Sequence, residues 1–377
     1  MTRTDKNKGA KPSLITGGCG FVGRHMADRM IRDGRNVWLV DDLSIGIHPE
    51  EWLGVGFVIS DHRIDRRGGE VFEYTHSETG NTVTFVHSDV RRMFEGTLAD
   101  FVLQEPDFGD VIHLAAVVGG RANIDGNPLA VAMDLALDAG FFNWAVKKRP
   151  DRVLYASSSA AYPIDLQTAS EHKALQEAEI NFGGRLGQPD MTYGWAKLTG
   201  EYLGKLAADH YGLHVASIRP FSGYGEDQDT TYPIPAIAAR TAARENPLVI
   251  WGSGDHGRDF VHIDDCIEAM LRTLDKISDG SAVNIGSGRF TSFKEVAALF
   301  AQIAGYEPTI KPLVDKPVGV SHRYADPGHM RALLNWQPEI TIEEGFKRVF
   351  AAAEARLNGT YERTPRIVDR RRHAVTT

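Results

Sequence analysis

Cysteine is scarce in this chain: Cys19 and Cys266 are the only two in 377 residues. Two thiols so far apart supply neither a disulfide framework nor a zinc cluster, so no metal site is expected and a reduced, cytoplasmic setting fits best. Positive charge is not in excess. Lys and Arg number 42 against 50 Asp and Glu, a formal net charge of -8, which offers no electrostatic footing for nucleic acid. No uninterrupted apolar run reaches the ~20 residues of a membrane-spanning helix. No apolar segment follows the polar opening MTRTDKNKGAKP, so residues 1–11 read as a flexible leader and no membrane partner is expected. There are no internal repeats. What is present is ordinary globular composition, 42% hydrophobic and 24% charged, in a length that allows one large domain or two medium ones.

Short apolar strands alternate with helical stretches. The pattern predicts strands at 13–16, 36–40, 83–86, 111–115, 152–155 and 213–218, and helices at 22–33, 128–148 and 193–211. That alternation implies an α/β fold with a Rossmann-type, doubly wound parallel sheet. Residues 44–81 are polar and glycine-containing and read as an inserted loop or hairpin. After Arg219 the rhythm changes to a Gly, Pro, Tyr and Asp-rich stretch. The first domain is therefore expected over 12–219. A smaller α/β substrate domain is expected over 220–358, with some segments returning to the first. A basic tail covers 359–377.

Thr16 to Gly23 reads TGGCGFVG, with glycines at 17, 20 and 23 between the first strand and the first helix. Glycine permits the tight turn and lets the backbone approach a pyrophosphate, and the following helix offers unpaired N–H groups to it. Asp41 and Asp42 end the second strand. A carboxylate there accepts hydrogen bonds from a ribose hydroxyl and repels a 2′-phosphate, which favours NAD over NADP. Further on, Tyr193 and Lys197 stand one helical turn apart in YGWAK. A nearby ammonium favours the phenolate, so such a tyrosine can exchange a proton with a sugar hydroxyl or ketone. The lysine can also hold a nicotinamide ribose.

TGGCGFVG, Asp89-Val90, HLAA (113–116), the serine run at 157–159 and YGWAK occur together with RPFSGYG (219–225) and GSGDHGRDFVHIDD (252–265). NIGSG (284–288) and YADPGHMRALLNWQPEITIEEG (324–345) complete the set. This combination resembles the extended short-chain dehydrogenase/reductase family, in its nucleotide-sugar epimerase and dehydratase branch, over nearly the whole chain. The resemblance implies that Gly17, Gly20, Phe21, Val22 and Gly23 hold the pyrophosphate of NAD. It places Asp41 and Asp42 at the adenosine ribose, Asp89 and Val90 beside the adenine, and Leu114, Ala115 and Ala116 along the cofactor. The implied substrate is a nucleotide-diphosphate sugar. Arg258 would meet its diphosphate, with Lys316 near a second phosphate-binding position. Gly119, Gly120 and Arg121 would approach the sugar, or form a flexible loop. Ser222 stands where the branch keeps a nucleotide-contacting asparagine. Relatives dimerise through two helices, here roughly 129–148 and 194–211, so a homodimer is implied.

By the same likeness Ser158 is the catalytic hydroxyl beside Tyr193, with Lys197 completing the set and Ser159 lining the pocket. The next two positions separate the chemistries. Sugar 4,6-dehydratases place Asp-Glu there, and GDP-fucose synthases and GDP-mannose 3,5-epimerases keep a cysteine at the second. This chain has Ser159 and Ala160, and alanine can do no acid–base work. The expected reaction is therefore C4 epimerisation through a transient 4-keto sugar. The alternatives are a 4-ketoreductase, or a 4,6-dehydratase or GDP-sugar 3,5-epimerase that draws a base from Glu171, His172 or Glu177. That segment otherwise reads as a solvated helix. A non-catalytic NAD-binding module is the remaining reading.

Overall fold

The structure, a computed structural model, describes residues 10–64, 68–100, 105–117, 125–170 and 172–361. Most of the expected leader and basic tail lies outside it. The described chain divides into two compact units, one of residues 10–115 with 143–153 and one of residues 116–142 with 154–361. The boundary expected after Arg219 does not coincide with this division.

The first unit opens with β1 (Ser13–Thr16), α1 (Phe21–Arg32) and β2 (Val37–Asp41). It continues through β3 (Phe57–Ile64), β4 (Glu70–His76), β5 (Thr82–His87), α2 (Arg91–Phe94) and β6 (Asp110–His113). β1 pairs in parallel with both β2 and β6, and β2 pairs in parallel with β5. β1, β2 and β6 are buried almost throughout, as strands covered on both faces must be. The insertion resolves as a hairpin: β3 and β4 run antiparallel, and β4 extends the sheet beside β5. β3 is mostly exposed and carries Asp61, His62 and Arg63, charges that discourage edge-to-edge pairing.

The helix expected over 128–148 forms in two pieces, α3 (Pro128–Val131) and α4 (Asp134–Lys148). A tighter turn joins them, in which the Leu135 and Ala136 amides donate three residues back. By length and composition Pro128–Lys148 could cross a membrane, contrary to the expectation from uninterrupted runs. A core helix passes the same test, and its Asp134 and Asp138 are buried here. β7 (Arg152–Ala156), α5 (Met191–Tyr211), β8 (Val215–Pro220) and β9 (Ser222–Tyr224) follow. Later come α6 (Pro233–Ala242), β10 (Leu248–Trp251), β11 (Gly257–Arg258), β12 (Phe260–His262), α7 (Ile263–Leu274) and β13 (Asp279–Ile285). In the second unit β13 pairs in parallel with β8.

Among the described residues of 164–190 there is no α-helix, only 3-10 turns at Ile164–Gln167 and Glu177–Glu179. The expected solvated helix is replaced by an irregular segment. Its Leu175 and Ile180 are buried with Tyr162, Leu198 and Phe221. Burial of those two side chains outweighs local helix preference.

Candidate active site

In the first unit the glycine loop is built for close backbone approach. Gly17 has φ +67, and a Cβ there would sit 2.8 Å from the Ala115 nitrogen. A Cβ at Gly23 would sit 2.2 Å from the Gly17 carbonyl. Gly20 is the N-cap of α1 and provides no side-chain cap. Phe21, Val22 and Gly23 then open the helix with the N–H groups that have no intrahelical partner, a ready anion site. Asp41 braces the loop: its carboxylate accepts from Cys19 N at 2.9 Å and Leu43 N at 2.8 Å. Burial pushes its pKa up despite these bonds. Asp42 is exposed and accepts from Ser44 N.

Thr16 Oγ1 accepts from the Leu114 and Ala115 amides and bonds His113 Nδ1 at 2.7 Å, fixing the end of β6. Arg91 pairs with Asp89 and holds that carboxyl below the usual range, and Val90 is buried next to it. A glycine-only cradle, an uncapped helix start and a carboxylate at the end of β2 fit a dinucleotide.

In the second unit Ser158, Tyr193 and Lys197 come from two segments packed together. Ser158 caps a 3-10 turn over Ser159–Ala161, its Oγ accepting from Ala160 N at 3.1 Å. The turn lies against the start of α5: Asp190 N donates to the Ala160 carbonyl at 3.0 Å, and a Cβ on Gly194 would come within 2.3 Å of that oxygen. Ser159 and Ala160 are buried inside the turn. Tyr193 is half-buried on the first turn of α5. Lys197 is buried, its Nζ 5.8 Å from the Tyr193 ring centre and 5.4 Å from that of Tyr155. Burial alone would lower the Lys197 pKa, but the charges of Asp138, Tyr193 and Asp134 outweigh it, so the ammonium is retained.

Behind this pair stand groups that the sequence reading did not single out. Tyr155 Oη donates to Asp138 at 2.5 Å. Ser157, first of the serine run, donates to Glu201, which pairs with Arg219. Arg219 also donates to Tyr162 Oη, and Tyr162 donates to Asn284 at 2.8 Å. The available signal was spacing: Asp134 and Asp138 stand one turn apart in an apolar helix, and Glu201 follows Lys197 by the same step.

The expected substrate residues divide. Arg258 donates to the carbonyls of Gly257, Val318 and Val320, so it ties down the 318–320 segment. Gly319 and Val320 of that segment, with Ser321, join Thr168, Gln188 and Met191 around an open cavity of about 430 Å³. Lys316 is exposed, its Nζ 5.8 Å from the Trp251 ring centre. Ser222 is half-buried, held by its amide to the Asp259 carbonyl. Gly119, Gly120, Arg121 and Glu171 lie outside the described residues. Of the alternative bases, Glu177 accepts from Asn284 N, and His172 lies against His322 and Phe290.

A Rossmann-type sheet with a glycine cradle, together with a Ser-Tyr-Lys set, defines a dinucleotide-dependent enzyme of the reductase and epimerase type. The chain belongs to the NAD dependent epimerase/dehydratase family, whose model matches residues 13–286, and its cofactor is NAD. A putative UDP-glucose 4-epimerase of Methanocaldococcus jannaschii is 27% identical over 89% of this chain and 96% of its own length. A probable GDP-L-fucose synthase of Oryza sativa subsp. japonica is 27% identical over 78% of this chain and 88% of its own. The same fold is seen in the UDP-glucose 4-epimerase of Thermotoga maritima, solved with UDP-glucose. It has a TM-score of 0.72 at 24% identity and covers 92% of this chain and 99% of that one.

Proposed function

We propose that the protein is an NAD-dependent nucleotide-sugar epimerase that inverts C4. The observation that carries this reading is the turn at 158–161 packed on the start of α5. It carries Ser158 against the segment that bears Tyr193 and Lys197, and Ala160, at the position where the resemblance puts an acid or a cysteine, supplies no titratable group. Ser158 bonds the sugar O4, and Tyr193 takes its proton. Lys197, kept cationic and buried, favours the phenolate form of Tyr193 that accepts this proton. NAD, when bound, supplies hydride acceptance and return at C4. Tyr193 gives the proton back once the transient ketone has turned over. Gly17, Gly20, Phe21, Val22 and Gly23 hold the pyrophosphate, Asp41 and Asp42 the ribose, and Asp89 and Val90 the adenine. Arg258 and Lys316 are the proposed diphosphate cations, and Ser222 lies on the nucleotide side. No observation favours Glu177 or His172 as a base, since each is held in other contacts.

The purified protein is expected to interconvert two C4 epimers of a UDP- or GDP-sugar without added cofactor. Proton NMR in deuterated water checks this. Deuterium appearing at C3 or C5 of the product, or stoichiometric consumption of added NADH, would rule it out.

A homodimer belongs to the same proposal. Leu129 and Met133 before α4, Leu135 on it, and Trp195 and Tyr202 on α5 are exposed apolar side chains, and apolar groups gathered on helix faces favour association. Light scattering after size exclusion is expected to give twice the chain mass of 41.5 kDa; a monomer mass at micromolar concentration defeats it. The two free, buried cysteines support a reducing, cytoplasmic setting.

A further inference from the structure

We propose that Asp134 is a positioning residue of this site, tying the segment that ends in Val117 to α4 and setting, by its own charge, the pH profile of the Tyr193–Lys197 pair. This rests on the reading of that pair given above.

Asp134 is wholly buried. Its Oδ1 accepts from Val117 N at 2.6 Å, directly after HLAA (113–116). Its Oδ2 is also buried and has no hydrogen-bond partner among the described residues. A purely structural tether would need one acceptor only; a second, unsatisfied carboxylate oxygen is costly to bury. Burial pushes the Asp134 pKa up to about 6, with Lys197 and the Val117 bond pulling down and Asp138 pushing up. Asp138, one turn along α4, and Lys197 on α5 act on it directly; Tyr193 acts in turn on Lys197, and Asp138, Glu201 and Tyr193 act on Tyr155 of β7. Asp138 is engaged by Tyr155. Asp134 is thus a buried carboxyl beside Lys197 whose charge changes at about pH 6.

The consequence for chemistry follows from sign. Below about pH 6 Asp134 is neutral, and Lys197 has one fewer anion beside it. Above that pH the Asp134 anion offsets part of the Lys197 charge that favours loss of the Tyr193 proton. Charge at Asp134 therefore holds the ascending limb of turnover at higher pH. The consequence for stability has the same origin. The folded pKa is raised, so the contribution is complete below the ordinary value of 3.8 and is lost as pH rises through about 6.

The test is Asp134→Asn, which keeps the acceptor for Val117 N and removes the charge. The ascending limb of the pH–kcat profile is expected to move down by about half a unit. In the ligand-free protein, the infrared band of a protonated carboxyl that disappears as pH rises through about 6 in the parent is expected to be missing from the variant. The fall in Tm across the same pH range should flatten. Asp134→Ala, which also loses the tether, should show these changes and in addition bind NAD more weakly, by about tenfold. If the band and the Tm slope are unchanged in Asp134→Asn, the inference is overturned. It is also overturned if the variant loses stability evenly at all pH values and leaves the limb in place. Full turnover by Tyr193→Phe would instead sink the function proposed for the pair, while the infrared and Tm readouts would still judge the charge on Asp134.

Discussion

Tyr193→Phe is expected to lower kcat for C4 exchange by about 10²- to 10⁴-fold, the usual worth of a positioned acid–base group. The ring is half-buried on the first turn of α5, so phenylalanine fills the same space and the fold is kept. What disappears is the oxygen proposed to take the O4 proton. Lys197 remains charged, but its field then acts on a side chain that cannot ionise. Substrate KM should change by only a few fold, because Ser158 and the proposed diphosphate cations are untouched. Turnover by NMR, with Tm and bound NAD measured on the same sample, checks the prediction. A variant that keeps more than about a tenth of parental kcat would remove Tyr193 from the proton path.

Arg219→Met is expected to cost about 3–5 kcal/mol of folding stability. Arg219 is 3% exposed and Glu201 1%. The guanidinium binds both oxygens of Glu201, at 2.7 Å through Nη2 to Oε2 and 2.9 Å through Nε to Oε1. Methionine matches much of the volume but leaves the Glu201 carboxylate buried with only Ser157 donating to it among the bonds described above. It also removes the donor to Tyr162 Oη and to the Glu177 carbonyl. The double variant Arg219→Met with Glu201→Leu should recover much of the loss, since replacing both partners removes the stranded charge. Urea unfolding of the two variants reads the difference. A single-variant loss below about 1 kcal/mol would mean that the pair is solvated.

Much of the fold could be read from local pattern. β1, the glycine turn and α1 were legible because a positive-φ residue and a close backbone approach demand glycine at fixed places. The hairpin at 57–76 was only half legible, because β3 is polar and half of its pairing logic lies in β4. The segment at 164–190 was not legible. Its order comes from Leu175, Ile180 and Asn284 contacts made over more than a hundred residues for some pairs.

The site shows the same division. Three serines in a row look equivalent in sequence, yet Ser157 is spent on Glu201, Ser158 caps a turn against the start of α5, and Ser159 is buried within that turn. By itself the amino-acid order determined the chemistry that depends on neighbours along the chain: the glycine cradle, the Tyr193–Lys197 spacing and the blank at Ala160. These follow from turn and helix geometry, which acts over about four residues. Only the tertiary structure decided the electrostatics. Lys197 stays charged and Asp134 titrates near neutral pH because burial strips them of water and brings distant charges within reach, and neither effect is written in local sequence.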